Sequence, residues 1–130
     1  MMNAISHPIL VVIPDKPFLE LLGELIESLG HYPVLCRNEQ ETLKVLGSET
    51  RFAVGAFDWE LSQKKFPEII RNSIDIQPRM RRFVLIDQMD AEIRKLIQNG
   101  DICCYLKKPF TLEKFETAFS QCLQKFHEAG

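Results

Sequence analysis

The chain has 130 residues, of which 45% are hydrophobic and 26% charged, a size and composition typical of one globular domain. Its 16 basic and 18 acidic residues give a formal charge of −2, which argues against direct binding to nucleic acid or to a membrane surface. The longest apolar run covers only residues 9–13 and the N-terminus MMNAISHP lacks a signal-peptide core, so we expect a cytoplasmic protein.

The first half of the chain alternates buried strands with amphipathic helices. The continuous apolar residues 9–13 predict a strand. Apolar side chains at three- and four-residue spacing over 17–29 predict a helix, which Gly30 ends. Residues 33–36 predict a second strand, and a capping-box pattern opens a second helix over 38–46.

The second half repeats this alternation three times. Residues 52–57 predict a buried strand that ends at Asp58, and a weak pattern after Pro67 predicts a short helix. The later strands and helices are predicted at residues 83–86, 93–100, 103–106 and 111–126. Five strands alternating with five helices predict an α/β fold, a doubly wound five-stranded parallel sheet of the flavodoxin-like type in three layers. We expect one domain over 1–130, with its core at about 9–126 and a flexible segment at 1–7.

Charged side chains follow four of the five predicted strands. Asp15 follows the first strand, and Asp58, Asp87 and Lys108 follow the third, fourth and fifth. Ligands of doubly wound sheets gather at the carboxyl ends of the strands, so these four residues form the candidate site. One hypothesis places Lys108 between Asp58 and Asp87 as an internal cation. The alternatives are solvated groups that point apart, or a cation held by Asp15, Asp58 and Asp87.

Five sequence segments carry a resemblance over residues 9–126: ILVV, ESLGHYPV, FAVGAFD, FVLID and YLKKPF. Their order and spacing resemble the receiver domain of bacterial response regulators, which act in two-component, phosphorelay signalling. The resemblance implies a CheY-like (βα)5 fold with Asp58 as the phosphoacceptor and Lys108 as the lysine that pairs with it. It also implies that Tyr105 is the aromatic residue that changes rotamer when the family switches.

Two positions depart from the family pattern. Ile13 and Pro14 align with the acid pair that binds magnesium, and Asp87 aligns with the hydroxyl residue that holds a phosphoryl oxygen. Mg²⁺ prefers carboxylate oxygens, so we predict no metal and no cofactor. A weak magnesium site at Asp15 and Asp58 is the alternative, and a one-residue bulge at Pro14 would swing the Asp15 carboxylate toward Asp58.

The resemblance and its departures together predict a degenerate, pseudo-receiver domain. We expect no enzymatic activity, but a phosphorylation-independent regulatory module that binds a protein partner or an output domain, as the N-terminal domain of a transcriptional regulator. A homodimer through the last two helices and the fifth strand is also expected. The alternative is a functional receiver phosphorylated on Asp58 by a histidine kinase. An unrelated flavodoxin-like enzyme is disfavoured because no glycine-rich phosphate loop follows the first strand.

The four cysteines and the arginines before the fourth strand are interpreted as structural residues. The four cysteines are Cys36, Cys103, Cys104 and Cys122. No metal-ligand spacing joins them, so they are interpreted as small buried hydrophobic residues, with adjacent Cys103 and Cys104 on opposite faces of a strand. Redox sensing is the alternative. The arginines at residues 79–82 are interpreted as a solvated turn rather than a nucleic-acid patch.

Overall fold

The computed structural model describes residues 5–61 and 66–129. Residues 1–4 of the segment predicted to be flexible lie outside the described residues. The strands are β1 Pro8–Val12, β2 Tyr32–Cys36, β3 Val54–Asp58, β4 Arg81–Ile86 and β5 Cys104–Lys107. The helices are α1 Lys16–Ser28, α2 Glu39–Leu46, α3 Phe66–Ile76, α4 Ala91–Gln98 and α5 Leu112–Ala129, with a 3₁₀ turn at Trp59–Leu61.

All five strands belong to one parallel sheet of order β2-β1-β3-β4-β5. Two apolar clusters cover its faces. One cluster joins the sheet to α1 and α5 through side chains such as Leu22, Ile26 and Phe119. The other joins it to α2, α3 and α4. The doubly wound, three-layered α/β fold is therefore confirmed, and β1 and β3 lie at its centre, where the chain reverses the direction in which it adds strands.

Helix starts follow the side-chain caps that the chain provides. The carboxylate of Asp15 accepts a hydrogen bond from the backbone N of Phe18 at 3.0 Å, and Asn38 accepts one from Glu41 at 2.8 Å. Such caps satisfy backbone N–H groups that have no partner inside the helix. Glu41 does not complete the predicted capping box, since its carboxylate accepts instead from the backbone N of Arg37.

Of the three arginines predicted to form a solvated turn, Arg79 does lie in an exposed turn, but Arg81 and Arg82 belong to a strand, which corrects the prediction for these two. Strand β4 begins at Arg81, and Arg82 is only 5% exposed. The Arg82 guanidinium donates to the Ser73 hydroxyl and to the Gln77 carbonyl, each at 2.9 Å. Burial lowers the pKa of Arg82 to about 10, and these two acceptors compensate the lost hydration.

Cys103 and Cys104 do not lie on opposite faces of a strand, which corrects a second prediction. Strand β5 begins at Cys104, so Cys103 precedes it and strand alternation does not apply to the pair. Their sulfur atoms are 3.5 Å apart, and both residues pack against the cluster that contains Cys122. Cys36 is buried in the other cluster, in agreement with its interpretation as a small hydrophobic residue.

Within residues 5–61 and 66–129, no helix combines the length and the apolar character that crossing a membrane requires.

Candidate functional site

A buried carboxylate lies at the centre of the carboxyl edge of the sheet. Asp58 is the last residue of β3, and its side chain is only 3% exposed. The chain turns directly after it, which brings the backbone N of Glu60 within 3.0 Å of Asp58 Oδ1 as a donor. A single backbone donor leaves most of the carboxylate unsatisfied, so a buried negative charge here requires a cation.

Lys108 supplies that cation. It follows β5 and extends the ladder, since its backbone N donates to the Ile86 carbonyl at 2.8 Å. Its Nζ lies 3.0 Å from Asp58 Oδ1 and 3.2 Å from Oδ2, with the side chain 18% exposed. The ammonium also lies 5.7 Å from the centroid of the Phe18 ring, within cation–π range. The side chain is thus held by both charge and packing.

Two further carboxylates surround the same ammonium. Lys108 Nζ lies 3.8 Å from Asp87 and 3.9 Å from Glu60, and both acids are more than half exposed. A hydrogen bond with Asp87 is the main cause that raises the pKa of Glu60; the positive charge of Lys108 opposes this shift. The structure therefore places Lys108 among three acids, two of which the sequence interpretation named.

Glu60 was missed because its position depends on the turn after β3. The 3₁₀ turn at Trp59–Leu61 carries Glu60 back over the strand end. The available signal was that Glu60 lies two residues after Asp58. At this spacing a backbone N–H can turn back and donate to the aspartate carboxylate, as it does here. Asp-initiated turns of this kind are common, so the spacing alone did not single Glu60 out.

Asp15 has a different role from the one suggested for a metal ligand. Its carboxylate caps α1 at Phe18. Ile13 continues the sheet ladder through a 3.0 Å hydrogen bond to the Cys36 carbonyl, so no bulge redirects the chain before Pro14. Within the described residues no hydrogen bond or ion pair joins Asp15 to Asp58, so the orientation considered for a bulge at Pro14 is not found. Asp15 does line a cavity that Asp58 and Lys108 also line.

The cavity at this edge has a volume of about 600 Å³ and runs between α1 and the start of α5. Its lining includes four acids and Lys108. It also includes apolar side chains such as Leu21, Leu25 and Leu112, of which Leu21 is 52% and Leu112 58% exposed. The groove could thus accommodate a polar group beside an apolar one.

The end of β1 contributes no side-chain donor atom for Mg²⁺ to this pocket. The end of β1 offers the side chains of Ile13 and Pro14, which contain no oxygen, and Ile13 is completely buried. The buried carboxylate is already paired with Lys108. An octahedral magnesium ion needs several oxygens at short distance, and here two of the expected ligands are hydrocarbon.

Tyr105, the residue implied as the switch, lies on an outer strand of the sheet and does not line the acidic pocket. Tyr105 is in the middle of β5, paired with Val84 in the sheet register, and its side chain is 47% exposed. Strand β5 is an outer strand of the sheet. Tyr105 is therefore accessible on an outer strand, whereas Asp58 is buried.

Comparison with solved structures gives consistent matches in fold. A CheY-like response regulator receiver domain protein from Methanospirillum hungatei JF-1 superposes with a TM-score of 0.87 at 18% identity, covering 97% of this chain and 100% of that chain. The signal receiver domain of an HD domain-containing protein from Pseudomonas fluorescens Pf-5 gives 0.84 at 25% identity, covering 95% and 99%. The chain has the receiver-domain fold.

A third match supports the same fold. A response regulator receiver domain protein from Clostridium thermocellum gives a TM-score of 0.82 at 20% identity, covering 95% of this chain and 99% of that chain. No protein-family model matches the chain, and no curated protein matches it significantly. The CheY-like prediction is confirmed as a statement about fold. The roles of Asp58, Lys108 and Tyr105 in the receiver fold stay predictions.

Proposed function

We propose that the chain is a degenerate receiver domain, a regulatory module of bacterial signal transduction that acts by protein contacts without being phosphorylated. The observation that carries this proposal is that Asp87 and Glu60 place two further carboxylates 3.8 and 3.9 Å from the Lys108 ammonium, beside the buried Asp58. In this arrangement the chain itself supplies the cation that compensates the buried carboxylate. No metal is assigned to the pocket, and no catalytic activity is assigned to the chain.

The charges around Lys108 support a pocket without phosphoryl chemistry. Phosphoryl transfer to a carboxylate places added negative charge beside the acceptor, which receivers are expected to neutralise with magnesium. Here Asp87 and Glu60 add negative charge at the same place. Two unit charges 4 Å apart repel by about 4 kcal/mol at an effective dielectric constant of 20, so these acids oppose a phosphoryl group.

The regulatory role requires a partner, and the exposed face of β5 is the proposed site of contact. Tyr105 is a half-exposed aromatic residue on an outer strand, and aromatic residues are enriched at the centres of protein interfaces. We assign this face, with α4 and α5, to a homodimer or to an output domain. Sedimentation velocity of the chain and of Tyr105→Asp tests the homodimer, because the substitution should shift a dimer to monomer.

The output is proposed to be transcriptional, with this chain as the N-terminal regulatory domain of a transcriptional regulator. The resemblance to response regulators supports this assignment. The Pseudomonas fluorescens match is the receiver domain of a protein that also contains an HD domain, so a receiver fold joined to another domain has a precedent among the solved structures.

A second function is favoured by one observation. Asp58 and Lys108 stand within 3.0 Å of each other at the positions where the family resemblance places the phosphoacceptor and its lysine. The second candidate is therefore a functional receiver, phosphorylated on Asp58 by a histidine kinase.

Direct phosphorylation distinguishes the two candidates. The chain is incubated with acetyl phosphate and Mg²⁺, and its intact mass is measured before the acyl phosphate hydrolyses. The degenerate-receiver proposal predicts no phosphoryl adduct. An adduct that disappears in Asp58→Asn would favour the second candidate, and a receiver domain of known activity in the same buffer is the positive control.

A further inference from the structure

Three cysteines that are distant in sequence meet at the opposite edge of the sheet from the acidic pocket. Cys103 precedes β5, Cys104 is its first residue, and Cys122 lies on α5. Their sulfur atoms all lie within 4.8 Å of one another, and those of Cys103 and Cys104 are 3.5 Å apart. All three thiols are free. No sequence spacing indicated this cluster, since the third sulfur comes from a different element.

The separation of the sulfurs matches that of thiolates around one metal ion. A metal–sulfur distance of about 2.3 Å corresponds to sulfur–sulfur distances of roughly 3.8 Å in tetrahedral and 4.0 Å in trigonal geometry. The 3.5 Å separation of the Cys103 and Cys104 sulfurs is slightly shorter than these values, and no pair in the cluster is more than 4.8 Å apart. Small rotamer adjustments of half-buried Cys103 and Cys104 would bring the sulfurs to a common centre, while Cys122 is fixed by complete burial.

Positive side chains lie beside the cluster. Lys125 Nζ donates to the Cys103 carbonyl at 3.3 Å. Lys125 and Arg81 both lie close enough for their charges to favour a thiolate at Cys103. The Nε of Arg81 is buried with no hydrogen-bond partner among the described residues. These cations would offset the negative charge of a centre with three thiolates.

We propose that Cys103, Cys104 and Cys122 form a binding site for a soft, thiophilic metal ion, with Cu(I) preferred over Zn²⁺. Thiolates select soft ions, and the cluster offers three sulfurs with no fourth side-chain ligand among the described residues. Cu(I) accepts three sulfur ligands, whereas closed zinc sites use four. Half-exposed Cys103 and Cys104 give the ion a route in from solvent.

Metal binding would join the outer strand β5 to α5. Cys104 and Tyr105 are neighbours on that strand, so an ion would fix the face assigned above to partner contacts. The site itself does not depend on the state of Asp58, because it lies at the amino end of β5 whereas Lys108 follows its carboxyl end.

The test is a titration of the reduced full chain with Cu(I), under anaerobic conditions, in competition with the chromophoric chelator bicinchoninate. We expect one Cu(I) per chain and a sulfur-to-copper charge-transfer band in the ultraviolet. Cys104→Ala and Cys103→Ala should each weaken binding by more than about tenfold, because loss of a ligand exceeds the effect of losing an outer-shell partner. Both residues are only partly buried, so these variants are expected to fold, whereas Cys122→Ala would leave a cavity in the core.

The matched control is Cys36→Ala, which removes a thiol from the opposite face of the sheet and should leave Cu(I) binding unchanged. A parallel titration with Zn²⁺ tests the choice of ion. Absence of stoichiometric Cu(I) binding, binding that persists in Cys104→Ala, or cysteine-dependent binding of Zn²⁺ alone would each overturn the proposal.

Discussion

At the scale of single residues, the pocket depends on one lysine. Asp58 is almost completely buried, and an unpaired carboxylate in such a place is strongly unfavourable. Lys108 compensates it with two short contacts and is itself held over the Phe18 ring. Removing one partner of a buried pair costs more than the pair contributes, because the other charge is left without compensation.

Lys108→Met is therefore expected to lower the free energy of unfolding by about 2 to 3 kcal/mol at pH 7, measured by urea denaturation. The side chain keeps its length but loses its charge. Lys107→Met is the matched control: Lys107 is exposed, and exposed substitutions usually change stability by less than about 0.5 kcal/mol.

The double variant Asp58→Asn/Lys108→Met separates lost charge pairing from lost packing. Neutralising Asp58 should recover part of the stability lost in Lys108→Met, since no buried charge then remains. Equal melting temperatures for Lys108→Met and the parent chain from pH 5 to pH 8 would contradict a pocket held by this pair.

Asp15 is expected to act as a helix cap. Asp15→Ala should lower the free energy of unfolding by about 1 kcal/mol, because the backbone N of Phe18 loses its acceptor. Asp15→Asn keeps an acceptor oxygen and should stay within about 0.5 kcal/mol of the parent chain. An Asp15→Asn variant as unstable as Asp15→Ala would show that the negative charge, rather than the cap, is what matters at this position.

The sequence predicted the main residues of the pocket but not all of their contacts. Asp58, Asp87 and Lys108 could be placed because parallel strands end at one edge. The role of Asp15 could not, because one backbone turn decides whether its carboxylate caps α1 or faces the pocket. The position of the Glu60 carboxylate depends in the same way on the local turn after β3. Side-chain contacts determine such turns, and the spacing of apolar residues along the sequence gives no information about them.

At the scale of elements, prediction succeeded where burial sets the pattern. Strands β1 and β3 are buried throughout except at Pro8, so their apolar runs were readable. The prediction failed at β5, a short outer strand. Because this strand begins at Cys104, Cys103 lies outside it and the alternation of side chains along a strand does not apply to Cys103. The prediction also failed at Arg82. The sequence does not show that its guanidinium is buried, because burial depends on an acceptor from a different element, the Ser73 hydroxyl on α3.

Three histidines link the segment before β1 to the end of α5. The backbone N of His7 donates to His31 Nδ1 at 3.0 Å, and the Nε2 atoms of His7 and His127 are 3.0 Å apart. Burial lowers the pKa of His7, and the neighbouring His127 lowers it further. The pKa of His31 is lowered by burial and by both other histidines.

This cluster predicts a loss of stability in mild acid. Because the folded pKa values lie below the ordinary value of 6.5, the unfolded chain binds protons first as the pH falls. The stability from these groups is present above pH 6.5 and declines as the pH drops through the folded pKa values. In His127→Gln, the pKa of His7 measured by NMR should rise but stay below 6.5, since burial remains. An unchanged or lower pKa of His7 would contradict the described contact.

At the scale of the whole molecule, the alternation of strands and helices was enough to predict the architecture. Each buried strand needs cover on both faces, and a right-handed crossover supplies it. The contacts between distant parts of the chain were not predictable in this way. Cys104 meets Cys122, and His7 meets His127, only because α5 packs along the sheet from end to end.

The two ends of the sheet carry different chemistry. The carboxyl edge holds acids neutralised by the internal ammonium of Lys108. The amino end of β5 holds the three-cysteine cluster. The central proposal concerns the first of these: we propose that the pocket works without Mg²⁺ and without a phosphoryl group, so that the receiver fold acts here without phosphorylation.

A thermal melt with Mg²⁺ and beryllofluoride, a phosphoryl mimic, tests this claim most directly. A ligand that binds only the folded state at 100 times its Kd adds about 2.7 kcal/mol of stability, which raises Tm by several degrees in a domain of this size. The account predicts a change of less than about 1 °C, within the scatter of such measurements. A rise of several degrees that requires both Mg²⁺ and beryllofluoride and disappears in Asp58→Asn would contradict it.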